Sequence, residues 1–162
     1  MNDSDKTKTL HDLIKDIRFA MFTTRGPDGS LRSRPMTTQN DPDRDPECLW
    51  FFAARSGGPV TDLLRDPAVN AAFADPSSDA YVSVSGSAAV VEDDERKQKL
   101  WSKFAEAWFP GGPTDPDLAL VRVAIENAEY WNVRESKVTQ LLKMARANLT
   151  GKPPAMGEHE KL

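Results

Sequence analysis

The chain has little cysteine and little histidine, and these shortages exclude several kinds of chemistry. Its 162 residues include one cysteine and two histidines. With Cys48 alone, no intrachain disulfide can form, so nothing indicates an oxidising compartment. His11 lies on a predicted N-terminal helix and His159 in the C-terminal tail, so the two do not form a set of metal ligands. We therefore expect neither a metal site nor acid–base catalysis by a histidine in the core.

Long apolar runs and an excess of positive charge are also missing. The longest apolar run, residues 49–54, is far too short to cross a bilayer, and the N-terminus shows no apolar stretch of signal-peptide length. The net charge of −4 argues against general binding to nucleic acid, whose phosphates require a basic surface. We expect a soluble cytoplasmic protein that binds neither a membrane nor a nucleic acid.

What is present is a series of short β-rich runs with a few amphipathic segments between them. The Gly-Pro-Asp-Gly sequence at residues 26–29 separates two such runs and predicts a β-hairpin. Further strands are predicted at residues 48–54, 68–75, 79–92 and 118–133, and helices at residues 10–17, 59–66, 93–109 and 135–149. The pattern predicts one mainly β domain, a barrel or a sandwich with helices packed around it.

The acidic loop at residues 41–47 has a faint likeness to a calcium-binding loop, because acids recur at every second position. A calcium loop, however, needs a glycine where this chain has Pro46 and a bidentate glutamate where it has Phe52. A solvated surface loop is the better interpretation.

Two arginines share one face of the second strand of the hairpin. Arg32 and Arg34 are two residues apart, so their side chains point to the same side of a strand. Two cations placed side by side repel each other unless an anion lies between them or water screens them. The pair predicts an anion site or, as the alternative, two surface arginines on an edge strand.

A glycine loop follows the strand at residues 48–54. Arg55 and Ser56 lead into Gly57 and Gly58, and a helix is predicted to begin near Pro59. Backbone N–H groups at the start of a helix can bind an anion, although a plain strand-to-helix turn would have the same sequence. Together with the two arginines, the loop favours a phosphate site.

Most of the four tryptophans and seven phenylalanines should lie in the core, and one or two could flank a planar ligand.

Several segments, taken in order, resemble a known family. These are SRPM at 33–36, WFFAARS at 50–56, DPAVNAAFAD at 66–75, YVSVSGSAAVVED at 81–93, AWFPGG at 107–112, DPDLALVRV at 115–123 and AEYW at 128–131. Their order and spacing resemble the general stress protein branch of the pyridoxamine-5′-phosphate-oxidase-like flavoproteins, over residues 8–145.

The resemblance implies a six-stranded antiparallel split β-barrel of the FMN-binding type, at residues 8–147, with flexible termini at 1–7 and 148–162. It also implies a homodimer with FMN at the subunit interface. The cofactor-binding residues that it implies are Arg34, Pro35, Met36, Thr37, Phe51, Phe52, Ala53, Arg55, Ser56, Val60 and Trp131.

Within this set the resemblance suggests particular roles. Arg34 would meet the flavin phosphate, with Arg55 and Ser56 nearby, whereas Arg32 would face solvent or the rim. Trp131 would approach the cofactor from the other subunit, or it is simply a core tryptophan in the last strand.

Two departures from the family pattern limit what the resemblance implies. Pro59 stands where the family usually has a lysine, which removes one cation from the phosphate site. The C-terminal Arg-x-His-x-Arg motif of the true oxidases is also absent, so oxidation of pyridoxamine phosphate is not expected. The expected function is an FMN-dependent oxidoreductase on an unknown small molecule, with NAD(P)H as a candidate partner. The alternatives are a non-catalytic flavin-binding or flavin-buffering stress protein, and a barrel that binds no flavin.

Overall fold

The computed structural model describes residues 3–40, 45–132, 137–155 and 157–161. These residues form one antiparallel sheet and five helices. The strands are β1 (Ala20–Arg25), β2 (Leu31–Met36), β3 (Cys48–Ala54), β4 (Ala68–Asp75), β5 (Ala80–Val91), β6 (Leu118–Asn132) and β7 (Glu158–Lys161). The helices are α1 (Asp3–Ile14), α2 (Gly58–Arg65), α3 (Asp94–Leu100), α4 (Lys103–Trp108) and α5 (Lys137–Thr150). The predicted class, mainly β with peripheral helices, is confirmed.

The sheet has the strand order β2-β1-β4-β5-β6-β3, and β7 pairs with β6 beside this path. The long strand β6 pairs with β5 along one edge. Its other edge is shared by β3, which pairs with residues 118–124, and by β7, which pairs with residues 129–132. The sheet therefore has seven strands rather than the predicted six, because the tail adds a strand to a free stretch of β6.

The two ends of the strand order approach each other without a continuous ladder. Thr38, just beyond β2, forms an isolated antiparallel bridge with Phe51 in β3. Next to it, the backbone N–H of Gln39 donates to the carbonyl of Trp50 at 2.7 Å. The sheet is thus curved around its core, and its two end strands meet without closing into a continuous barrel. This is the geometry of a split barrel.

The main core lies inside the curled sheet. Phe22 from β1 packs edge-on against Phe51 from β3, with ring centroids 5.0 Å apart. Leu10 and Ile14 of α1 and Val60 of α2 are buried in the same cluster. Burial of these side chains is the main favourable contribution to folding, and it fixes α1 and α2 against the sheet.

A second, smaller apolar cluster lies on the other side of β3. Successive side chains of a strand point to opposite faces, so Trp50 and Phe52 face away from the main core. They pack with Ala105 of α4 and with Leu118 and Leu120 of β6. As a result β3 is buried on both faces, which explains its nearly continuous apolar sequence.

Several predicted elements are confirmed and others differ. The hairpin forms around residues 26–29, and β3 and β4 span the predicted residues. The predicted helix at 93–109 is divided into α3 and α4, because Trp101 is extended and the Ser102 hydroxyl accepts the backbone N–H of Ala105 to begin a new helix. Regular structure also extends into both predicted flexible termini, as α1 begins at Asp3 and β7 lies at residues 158–161.

Candidate functional site

A cavity of about 300 Å³ opens between the end of β2, the outer face of β3, the start of α2 and the helix α4. It is a mainly apolar cavity with a few polar side chains. Its lining residues are Phe19, Arg34, Pro35, Met36, Thr37, Gln39, Phe52, Ala53, Ala54, Gly57, Pro59, Phe104, Ala105, Trp108 and Phe109. Small-molecule sites commonly combine such an apolar lining with a few placed polar groups.

The mouth of the cavity carries large aromatic side chains that are exposed to solvent. Phe104 and Trp108 on α4 are 55% and 68% exposed, and Phe19 is 41% exposed. The guanidinium of Arg18 lies over the rings of Phe19 and Phe104, at 5.0 and 4.5 Å from their centroids. Such a concentration of exposed aromatic surface is typical of a binding site or an interface.

Among the described residues that line the cavity, Arg34 is the one with a charged side chain. Its Nη1 donates to the Thr24 hydroxyl at 2.5 Å, and its Nη2 lies 3.5 Å from a carboxylate oxygen of Asp62. Both partners are deeply buried. The guanidinium is therefore held against the barrel while the side chain remains 24% exposed.

Asp62 is the acidic partner in this group. It lies on α2, its side chain is 3% exposed, and its second carboxylate oxygen lies 3.5 Å from Nη2 of Arg65. The Thr24 hydroxyl donates to Asp62 at 2.8 Å. A buried carboxylate requires partners of this kind, because an unpaired buried charge is strongly unfavourable.

Arg32, the other arginine of the strand, lies apart from the cavity lining. Its Nη2 is 3.8 Å from Asp28, in the turn of the hairpin, and its guanidinium packs beside Gly26. The two arginines that the sequence places on one face thus pair with different carboxylates, and the mutual repulsion is relieved by Asp28 and Asp62 rather than by one shared anion.

Arg55 and Ser56 both pair with carboxylates outside the cavity lining. Arg55 pairs with Glu92 at 2.8 Å, and its hydrogen bond holds the pKa of the Glu92 carboxyl below its ordinary value. Ser56 donates both its backbone N–H and its hydroxyl to Asp117, at 2.8 and 3.0 Å. Neither side chain lines the cavity, whereas Gly57 and Pro59, at the start of α2, do.

The remaining predicted site residues divide between the cavity, the core and the sheet surface. Pro35, Met36, Thr37, Phe52 and Ala53 line the cavity. Phe51 and Val60 are buried in the main core, on the opposite side of the barrel wall. Trp131 lies in the second half of β6, outside the cavity lining, and stacks on His159 of β7.

Comparison with known proteins identifies the family. The family model described as pyridoxamine 5′-phosphate oxidase like matches residues 5–155. The chain belongs to this family. It is 28% identical to the protein bli-3 of Neurospora crassa, in a match that covers 94% of this chain and 77% of that protein. A second match, to general stress protein 26 of Bacillus subtilis, is 36% identical over 63 residues, which are 39% of this chain and 44% of that protein.

Solved structures show the same relationship. A Jannaschia sp. CCS1 protein assigned to general stress protein 26 superposes with a TM-score of 0.73 at 28% identity, covering 98% of both chains. The general stress FMN/FAD binding protein of Xanthomonas citri superposes with a TM-score of 0.69 at 31% identity, covering 82% of this chain and 92% of that one. The predicted split-barrel fold and the general stress protein branch of the pyridoxamine 5′-phosphate oxidase-like family are thus confirmed.

Within the described ranges, no three His, Cys, Asp and Glu side chains are grouped as a metal site would require. Asp41 and Asp43 of the acidic loop lie outside those ranges. None of the helices in the parts of the chain that the structure describes is long and apolar enough to cross a membrane.

Sequence reasoning missed two parts of the site. It did not single out the aromatic side chains of α4 as a cavity wall, although AWFPGG was among the segments that carry the resemblance. It also missed Thr24 and Asp62. Asp62 follows Val60 and Thr61 in an amphipathic helix, and nothing in that spacing separates a buried carboxylate from an exposed one.

Proposed function

We propose that the chain binds FMN in this cavity, with the phosphate at Arg34 and the ring system against the apolar wall. The position of Arg34 carries the proposal. Its contacts with Thr24 and Asp62 use two of the five N–H donors of the guanidinium, and the other three remain for a ligand. The Xanthomonas citri relative, described as an FMN/FAD binding protein, supports the same ligand class.

The rest of the lining fits a flavin mononucleotide. The cavity of about 300 Å³ lies at the lower end of the range for small-molecule sites, which suits a ligand that a second subunit also covers. Phe52 and the aromatic side chains of α4 offer surfaces on which a planar ring can stack. Gly57 and Pro59 bring the start of α2 to the cavity, where the positive end of the helix dipole favours a phosphate.

A homodimer is part of the proposal. Phe19, Phe104 and Trp108 surround the mouth of the cavity and are exposed in the single chain. A second copy packed on this face would bury them and would exclude water from the flavin ring. The site would then be completed by two subunits.

The reaction that we propose is an FMN-dependent oxidation or reduction of a small molecule, with NAD(P)H as the candidate electron donor. Bound flavin would supply the redox chemistry, since Arg34 is the charged side chain of the described lining and no carboxyl, imidazole or thiol accompanies it there. The same observation favours the alternative of a non-catalytic flavin-binding or flavin-buffering protein. The cytoplasmic location expected from the sequence remains a prediction, which cell fractionation checks.

Titration of flavin-free protein with FMN tests the binding site. Arg34→Ala should weaken binding by about 10- to 100-fold, because a charge-assisted hydrogen bond contributes about 1.5–3 kcal/mol. Arg32→Ala is the matched control and should bind as the wild type does. Equal affinities of the two variants would contradict the proposed phosphate position.

Anaerobic addition of NADPH or NADH to the yellow holoprotein separates the two functions. Loss of the flavin absorbance within seconds to minutes supports an oxidoreductase. A spectrum that does not change, under conditions in which a control flavin reductase is reduced, supports the flavin-buffering alternative.

A further inference from the structure

Two buried side chains, Thr24 and Asp62, contact the guanidinium of Arg34 on the side that faces the barrel. Thr24 is 1% exposed and Asp62 is 2% exposed, and both lie against the guanidinium of Arg34. They come from different elements, β1 and α2, and are separated by 38 positions in the chain. Neither residue lines the cavity itself. Their contacts therefore act on a ligand only through Arg34.

The direction of each hydrogen bond follows from the chemistry of the three groups. A hydroxyl has one proton to donate and lone pairs with which to accept. Thr24 donates that proton to Asp62 at 2.8 Å, so its oxygen is oriented to accept from Nη1 of Arg34 at 2.5 Å. An ionised carboxylate can only accept hydrogen bonds. Asp62 thus determines how the hydroxyl faces the arginine.

Arg34, Asp62 and Arg65 together carry one net positive charge, and Arg34 is the member of this group that lines the cavity. Asp62 lies within 3.5 Å of both Arg34 and Arg65, so one carboxylate is shared by two guanidinium groups. A single carboxylate cannot neutralise both cations. The excess charge is available to an anion at the exposed side of Arg34, where the donors not used by Thr24 and Asp62 remain.

We infer that Thr24, oriented by Asp62, is a positioning residue for the phosphate of the flavin. This inference rests on the proposed FMN site. An arginine side chain loses considerable rotamer freedom when it is fixed, and the two buried partners impose that restriction before the ligand arrives. Preorganisation of this kind raises affinity by lowering the cost of ordering on binding. Riboflavin, which lacks the phosphate, should gain nothing from it.

Thr24→Val tests the inference, because valine has nearly the shape of threonine but no hydroxyl. We expect its affinity for FMN to fall by about three- to tenfold and its affinity for riboflavin to change by less than about twofold. Thr24→Ser, which keeps the hydroxyl, should retain the wild-type ratio of the two affinities. Loss of general stability would lower both affinities together, so the FMN-to-riboflavin ratio separates positioning from a merely structural role. If Thr24→Val is too unstable to titrate, Thr24→Ala removes the same hydroxyl and is expected to lower the ratio in the same way.

The Arg34→Ala background supplies the second measurement. If Thr24 acts through Arg34, adding Thr24→Val to Arg34→Ala should leave the FMN affinity of the single Arg34 variant unchanged. An unchanged FMN-to-riboflavin ratio in Thr24→Val, with wild-type protein that prefers FMN, would overturn the inference alone. Wild-type protein that binds FMN and riboflavin equally would overturn the phosphate site, and the inference with it.

Discussion

Trp131 and His159 stack face to face, with ring centroids 4.8 Å apart and ring planes inclined by 6°. They join the second half of β6 to the short strand β7, in addition to the backbone pairing of the two strands and the hydrogen bond from the Tyr130 hydroxyl to Glu160. Glu129 adds to the attachment, since it lies 3.3 Å from His159 and 3.4 Å from Lys161. The hydrogen bond from His159, followed by the charge of Lys161, holds the pKa of the Glu129 carboxyl below its ordinary value.

Removal of the tail after Gly157 should expose one edge of β6 without unfolding the barrel. We expect faster hydrogen exchange at the amides of residues 129–132 that face β7, because those groups lose their acceptors. The amides of residues 118–124, which face β3, serve as the internal control and should exchange as before. Equal exchange in the full and truncated chains would mean that β7 does not pair with β6 in solution.

Pro59→Lys should tighten FMN binding by about tenfold, which corresponds to 1.4 kcal/mol. Pro59 lines the cavity at the start of α2 and offers neither a charge nor an N–H donor. A lysine at this position would add a charge-assisted contact of about 1.5–3 kcal/mol. It would also cost about 0.3–1 kcal/mol by placing a cation at a helix N-terminus, so the flavin-free variant should melt at a slightly lower temperature.

Leu64→Lys is the matched control for this prediction, because it adds the same charge to the same helix outside the cavity lining. Calorimetric titration of both variants with FMN decides the outcome. An FMN affinity in Pro59→Lys equal to that of Leu64→Lys would show that the phosphate binds elsewhere.

Trp108→Arg should convert the proposed homodimer into monomers. Trp108 is 68% exposed at the mouth of the cavity, and a buried arginine without a partner would strongly disfavour the interface. Leu149→Arg, at an even more exposed apolar side chain on α5, should leave the dimer intact. Light scattering at micromolar concentration measures both. A wild-type protein that is monomeric in this assay would refute the dimer.

Gly86→Ala should destabilise the barrel by about 1–3 kcal/mol, because the added methyl group cannot be accommodated. Gly86 lies at a register shift between β5 and β6, and a Cβ built there would stand 2.0 Å from the carbonyl oxygen of Ala124. At Gly58 the same addition meets no atom within 4 Å, so Gly58→Ala should be neutral or slightly stabilising. Urea denaturation compares the two variants, and equal midpoints would contradict the close approach of the strands.

Asp75 should make stability depend on pH in the acid range. Its carboxylate accepts hydrogen bonds from the hydroxyl groups of Ser77 and Ser78, both at 2.6 Å, and these bonds lower its pKa. A lowered pKa in the folded state means that the contribution is present above the ordinary value of about 3.9 and is lost as the pH falls through the lowered value.

Asp75→Asn should therefore be less stable than the wild type at pH 6, and the difference should shrink as the pH approaches 3. Thermal unfolding at a series of pH values measures the effect. Two stability curves that run parallel over this range would show that the turn does not depend on the ionised carboxylate.

The elements that depend on local periodicity and turn chemistry could be predicted from the order of residues alone. The hairpin around residues 26–29 and the bounds of β3 and β4 follow from the turn residues and the apolar runs. Local patterns suffice for these elements because backbone geometry and the alternation of side chains are set by neighbouring residues. Arg34 was separated from Arg32 only by the resemblance to the family, and its place in the cavity lining comes from the structure.

Contacts between residues that are distant in the chain could not be predicted in this way, because they depend on how the whole sheet packs. Ser56 and Asp117 are 61 positions apart, so no local pattern could show that the Ser56 hydroxyl is hydrogen-bonded to Asp117. Thr24 and Asp62 are 38 positions apart, so their contacts with Arg34 could not be foreseen either. The burial of Phe52 on the outer face of β3 likewise depends on α4 packing against it. Polar side chains take their partners from whichever segments the core brings together, and that choice is made by the packing of the whole sheet.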